Sequence, residues 1–241
     1  MVRKSKLRAS YTIALLSLFV FGVSAFEPPE VGKPIIEGSE VRVLEVERDA
    51  RGRDRVSLSN GRTVWGSSLS TIMDLANGDS AIVDELLNFS VSEDKIDGII
   101  RITDYRRTDP FSLGTSISIT HGGPPYMFLT FSMMSIWNSA NAQSLTLVSD
   151  NRRWDSSRLN FQRSTWRRGE YRQYTVFPTQ SKLDSFFEQS RDEQITVRFR
   201  MGGRNEDFRL SRAELEAYIS MKKIYDHLLR KRNNSNFNVD W

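Results

Sequence analysis

The spacing of apolar residues changes character near residue 89. Before it, Val41, Val43 and Val46, then Val56 and Leu58, then Thr63-Val64-Trp65 form short β-rich runs separated by "DARGRD" and "SNG". Asn60-Gly61 between alternating residues predicts a hairpin with a type I′ turn, because Asn and Gly tolerate positive φ. A short helical piece, Leu69 to Leu75, leads through "NGD" to a predicted strand, Ser80 to Asp84. Residues 39–88 therefore read as a small β module, preceded by an extended Pro- and Gly-rich leader at 26–38.

Longer strands are predicted beyond Phe89: Ile99 to Thr103, Thr115 to Thr120, Tyr126 to Ser132, Ser144 to Val148, Tyr171 to Phe177 and Ile195 to Met201. Ile117 and Ile119 alternate with Ser116, Ser118 and Thr120, as in a strand with one buried face. Leu183, Phe186 and Phe187 mark a short helix after Pro178. A last helix starts at Ser211, where Ser211 and Glu214 have capping-box spacing and Leu215, Tyr218, Ile219 and Leu229 lie near one face. The expected class is mainly β: an antiparallel β-sandwich over residues 89–229 with two peripheral helices, following the small β module.

The first 25 residues have the pattern of an export signal. Arg3, Lys4, Lys6 and Arg8 precede an apolar run from Ile13 to Val23, and Val23-Ser24-Ala25 supplies a small-residue cleavage site. The run is shorter than the ~20 residues of a membrane-spanning helix, so no transmembrane segment is expected after cleavage. Export alters the reading of charge. The isoelectric point of 9.4 belongs to the precursor, whereas residues 26–241 carry 30 basic and 30 acidic side chains. They are divided unevenly: 11 basic against 18 acidic in residues 26–150, and 19 against 12 in residues 151–241. With no cysteine, disulfides, thiolate metal sites and a lipid-anchored N-terminal cysteine are excluded, and an exported chain of this kind fits a bacterial envelope, periplasmic or secreted.

Catalytic motifs find little support. "HGGPPY" at 121–126 follows a strand, as an oxyanion-hole turn does in some hydrolases. No G-x-S-x-G elbow accompanies it, and the only other histidine, His227, sits among basic residues in the last helix. Two histidines without cysteine do not make a typical zinc site. Asp74, Asn77, Asp79 and Asp84 miss calcium-loop spacing, since Ala76 and Gly78 occupy ligand positions. Glu93, Asp94 and Asp97, or Asp104 and Asp109, read as solvated loop carboxylates. Neither an enzyme activity, a cofactor nor a metal is expected.

The candidate surface is the stretch "NRRWDSSRLNFQRSTWRRGEYRQY", residues 151–174. Arg152, Arg153, Arg158, Arg163, Arg167, Arg168 and Arg172 are interleaved with aromatic residues that include Trp154 and Trp166. Guanidinium forks suit phosphate and carboxylate groups. Export disfavours nucleic acid as the ligand and favours anionic glycolipid, wall polymer or an acidic protein face. The bland alternative places the arginines on outer faces and packs the tryptophans inward. The tail, residues 230–241, ends with Phe237, Val239 and Trp241 at alternate positions, as a short strand docking on a partner would.

The order "VSEDKIDG", "ISITH", "YMFLTF", "LTLVSDNRRW", a Phe-rich helix, "ITVRFR" and a helix after "EDFRLS" resembles exported accessory proteins of type VI secretion clusters and related envelope β-sandwiches. The resemblance covers residues 89–229 and implies a binding or assembly module without catalytic residues. The expected function is non-catalytic binding of another envelope protein. The alternative is binding of an anionic glycolipid or cell-wall polymer through the Arg/aromatic surface.

Overall fold

The runs between Val41 and Trp65 form a three-stranded antiparallel meander in the computed structural model, which describes residues 29–104, 111–135, 142–156, 160–166, 169–176, 182–201 and 203–234. The segment read as an export signal, residues 1–25, lies outside the described residues. Strands β1 (Val43–Arg48), β2 (Asp54–Leu58) and β3 (Thr63–Trp65) pair in that order. The β2–β3 connection differs from the expected type I′ turn. Leu58 N–H donates to Arg62 O at 2.8 Å and Gly61 N–H donates to Leu58 O at 3.0 Å, leaving Ser59, Asn60 and Gly61 as the loop. Only Gly61 has positive φ (79°). This is a type I turn completed by a left-handed glycine, and Asn60 serves through its side chain by accepting Arg62 N–H at 3.1 Å.

Helix α1 (Gly66–Ala76) buries Leu69, Ile72, Leu75 and Ala76, a spacing of three and four that presents one face. The strand expected at Ser80 to Asp84 is instead helix α2 (Ser80–Leu86). Asp79 Oδ1 accepts the N–H groups of Ala81 and Ile82 at 3.1 and 3.2 Å, and this N-cap starts the helix. Ile82, Val83 and Leu86 then turn one way into the core, which a strand of alternating faces would not allow. With α3 (Leu183–Gln189) and α4 (Arg212–Asn234), the described residues contain four helices: the short piece expected around Leu69–Leu75, the two expected peripheral helices, and α2.

The remaining strands form two larger antiparallel sheets. β4 (Ser90–Asp94), β5 (Ile99–Thr103), β6 (Phe111–Thr120), β7 (Tyr126–Ser135), β10 (Asn160–Trp166) and β11 (Gly169–Val176) make a six-stranded sheet in the order β10-β11-β7-β6-β5-β4. β8 (Ser144–Ser149), β9 (Arg152–Asp155), β12 (Thr196–Met201) and β13 (Arg204–Arg209) make a four-stranded sheet in the order β13-β12-β8-β9. Rings join them. Phe199 of β12 lies 6.1 Å from Phe111 of β6, 5.4 Å from Tyr174 of β11 and 5.9 Å from Phe208 of β13, and Phe111 stacks on Phe208 at 5.3 Å. Leu113, Phe131 and Tyr174 form a continuous cross-strand row of fully buried side chains. The apolar core is one cluster running from Ile35 to Leu228.

Helix α4 packs on β6 and on the α1–α2 pair. Its buried face is Leu215, Ala217, Tyr218, Met221, Ile224 and Leu228. The sequence-based face included Ile219 and Leu229, which are half-buried at its margin. The predicted capping box is present: Glu214 Oε2 accepts from Ser211 N at 2.9 Å and Ser211 Oγ at 2.7 Å, while Glu214 N–H donates to Ser211 Oγ at 3.2 Å. The other carboxylate oxygen, Oε1, accepts Leu113 N–H at 2.8 Å. Among the described residues the β5–β6 register ends at Thr103 and Ser116, and beyond it the Leu113 N–H is satisfied by the buried Glu214.

Polar contacts then fasten α1 and α2 to α4. Glu85 accepts from Ser220 and, at 2.8 Å, from Lys223. Lys231 Nζ donates to the α1 carbonyl of Asp74 at 2.8 Å, and His227 Nδ1 lies 3.6 Å from Asp79 Oδ2. The acidic excess of the N-terminal half is thus met partly by basic residues of the last helix. The Tyr218 hydroxyl donates to Asp184 of α3, and burial followed by that hydrogen bond pushes its phenol far up, so it remains a donor. Among the described residues, no helix is long and apolar enough to cross a membrane.

Two predictions follow from this helical layer. Replacing Glu214 by Ala leaves buried Leu113 N–H unpaired and uncaps α4, and should lower unfolding free energy by about 2–3 kcal/mol in urea titration. Replacement by Gln, which keeps one acceptor, should cost less. His227 is pushed below its usual 6.5 chiefly by burial, against the opposing pull of Asp79 and the Leu75 carbonyl, with Lys231 and Arg230 adding to the depression. The unfolded chain therefore binds this proton first as pH falls. Stability should be full above pH 6.5 and decline below it until the folded-state histidine also protonates. His227→Gln should flatten that decline in melting curves recorded across the range.

Candidate binding face

The arginine-rich stretch is divided between two sheets. Residues 152–155 form β9, an edge strand of the four-stranded sheet, while Asn160–Trp166 and Gly169–Val176 form β10 and β11 at one end of the six-stranded sheet. Register sets Arg163 opposite Arg172 and Trp166 opposite Gly169. The side chains of Arg163, Trp166 and Arg172, and all of Arg158, Arg167, Arg168, Phe237 and Trp241, lie outside the described residues.

On β9 the alternation of a strand separates the remaining candidates. Trp154 points inward opposite Leu147 and is buried at 9 % exposure. Arg152, of the same parity, is half-buried and pairs with Glu193 at 2.5 Å, beside the buried Ser149–Ser190 hydroxyl contact of 2.9 Å. That arrangement ties the β8–β9 turn to the end of α3 and reads as structural. Arg153 points outward and forms a two-pronged bond with Asp155, at 2.7 and 2.9 Å.

Arg153 belongs to a face the arginine stretch alone did not reveal. Register brings together, on the outer side of the sheet, a row of Asp155, Thr146, Arg198 and Asp207, a flanking row of Arg153, Val148, Thr196 and Arg209, and on the other flank Ser144, Arg200 and Asn205. Arg198 grips Asp207 through bonds of 2.7 and 2.6 Å. These contacts hold both carboxyls below the usual carboxylate range: Asp155 through Arg153 first and Thr146 second, and Asp207 through Arg198. Arg200 and Arg209 are exposed and have no carboxylate partner among the described residues. The face therefore presents two neutralised Arg–Asp pairs and two free guanidinium groups, with small hydroxyl and amide side chains between them. The signal for it was present in "TVRFRM", where Arg198 and Arg200 alternate with the buried Val197, Phe199 and Met201. Which strand lies beside it was not readable.

The "HGGPPY" segment is a tight turn. Gly123 N–H donates to Thr120 O at 2.9 Å, a Cβ at Gly123 would meet Thr120 Oγ1 at 2.2 Å, and Gly122 takes φ 66°. These glycines are required by the turn itself. Exposed His121 donates its backbone N–H to Gly98 O at 3.1 Å, joining the β6–β7 and β4–β5 turns. Among the described residues no group of three or more His, Cys, Asp or Glu side chains is placed to hold a metal. An open cleft of about 310 Å³ between residues 191–195 and the start of α4 has Ile195, Leu210 and Leu215 among its lining residues. Its charged margin includes Arg191 and Arg212.

Comparison with protein-family models, with characterised proteins and with solved structures yields no match to this chain.

Proposed function

We propose that this protein is an exported, non-catalytic module of the bacterial envelope that binds another envelope protein through the outer face of the four-stranded sheet. The observation that carries the reading is the pairing of free Arg200 and Arg209 with neutralised Arg153–Asp155 and Arg198–Asp207 pairs on one exposed surface. Such a face suits a protein surface of mixed polarity carrying acidic groups at defined positions, because complementary charges fix register and exclude other partners. Periplasmic or secreted localisation rests on the leader pattern and the absence of cysteine. The β-sandwich reading is supported by the ring contacts between the two larger sheets. Kinship with type VI accessory proteins is part of the proposal and rests on the short motifs quoted above.

A second reading is that the same arginines bind an anionic glycolipid or wall polymer. The two unpaired guanidinium groups favour it, whereas Asp155 and Asp207 in the middle of the face oppose it, since a uniform polyanion gains nothing from their presence. Salt separates the readings: polyanion binding through several arginines weakens steeply with ionic strength, while a packed protein interface retains affinity.

Two measurements check the proposal. Protein recovered from the periplasm should have the intact mass of a chain beginning at Phe26, and a retained N-terminus in the membrane fraction would reject export with cleavage. A photo-crosslinking residue at Thr196, in the row that also carries Arg153 and Arg209, should capture an envelope protein in cells. Joint replacement of Arg200 and Arg209 by Ser should abolish the crosslink with an unchanged melting curve. Capture that survives the double replacement, or capture of lipid alone, rejects the protein-binding face.

A further inference from the structure

Strand β13 is the edge of the four-stranded sheet next to the arginine face, and its backbone bonding can be followed residue by residue. Leu210 N–H donates to Ile195 O at 2.9 Å, and Arg200 O, opposite Asn205, turns away to accept Gln143 N–H at 2.7 Å. In an antiparallel ladder, residues alternate between bonding the neighbour and facing outward. Asn205, Asp207 and Arg209 therefore direct both N–H and C=O to the free edge, where no backbone partner meets them among the described residues. Their side chains share the outer face with Arg198 and Arg200.

We infer that this edge accepts an extended acidic segment of the envelope partner as a fifth strand. The inference rests on the binding face proposed above and names the form in which the partner presents itself. A strand added beside β13 would lie about 4.8 Å away, and its outward side chains would stand opposite Asn205, Asp207 and Arg209. A carboxylate opposite Arg209 is attracted. A second carboxylate opposite Asn205 falls in the same cross-strand row as Arg200, whose long side chain reaches towards it over Asn205, and an uncharged residue suits Asp207, whose charge Arg198 already neutralises. Exposed charges along β13 deter pairing with an ordinary apolar strand. They therefore select an acidic one: main-chain bonds supply affinity and the arginines supply choice of partner.

The probe is a short blocked peptide, glutamate–valine–threonine–valine–glutamate, added to the full exported chain, with a lysine-for-glutamate peptide as control. The glutamate peptide should bind, the lysine peptide should not, and amide exchange at Asp207 and Arg209 should slow on binding. Asn205→Pro removes one outward N–H without removing a ladder bond to β12, a position that tolerates proline on an edge strand. It should weaken binding about tenfold with an unchanged melting curve; should the variant unfold, the amide exchange of the unmodified protein decides alone. Binding that leaves those amides unprotected, or that survives Asn205→Pro but is lost in Arg200→Ser/Arg209→Ser, overturns strand addition and leaves the arginine face standing. Absence of binding by the unmodified protein overturns the strand inference, while the crosslink from Thr196 judges the face independently.

Discussion

At the buried carboxylate of Glu214, the sheet and the last helix meet. One oxygen closes the capping box of α4 with Ser211, and the other receives the N–H of Leu113 on β6. The residue is 4 % exposed, a burial that an ionisable side chain sustains only when its acceptors are occupied. The consequence is positional. Beyond the described β5–β6 pairing, the start of α4 meets the Leu113 N–H of β6 and holds the helix across the sheet. The apolar face from Leu215 to Leu228 then lies where it can cover the sheet, and its C-terminal half reaches the α1–α2 pair.

From that anchor the charge distribution becomes intelligible. The acidic first half and basic second half look like an invitation to an external polyion, yet α4 spends part of its basic complement internally, Lys223 on Glu85 and Lys231 on the Asp74 carbonyl. What remains exposed on the outer face of the four-stranded sheet is smaller and more patterned: two Arg–Asp pairs and two unpaired arginines. A surface of that kind is better at discriminating among partners than at attracting any anion, because neutralised pairs fix geometry without adding long-range attraction.

The same sheet shows why an arginine-rich run is a poor guide to a site by itself. Consecutive residues of β9 point to opposite faces, so Arg152 is drawn to Glu193, Trp154 enters the core, and Arg153 joins the outer surface. The neighbours that give Arg153 a setting come from residues 198–209, which only strand pairing brings beside it.

By itself the sequence determined a mainly β protein, the β2–β3 hairpin, the strands β6 and β12 with the alternation of β6, the short Phe-rich helix and the capping box of α4. Each depends on neighbours a few residues apart, through turn chemistry, period and capping. Tertiary structure decided the rest. α2 was hidden because five residues containing Ala81, Ile82 and Val83 carry no clear period, and the Asp79 cap settles the conformation. Strands β4, β9 and β10 were hidden because their hydrogen-bonding partners, rather than their own composition, make them strands. The second role of Glu214 was hidden for the same reason, since Leu113 is remote in sequence and enters its reach only when sheet and helix pack. The arginine face is the clearest case: every residue of it was visible in the chain, but a surface is a relation between strands, and pairing register alone creates that relation.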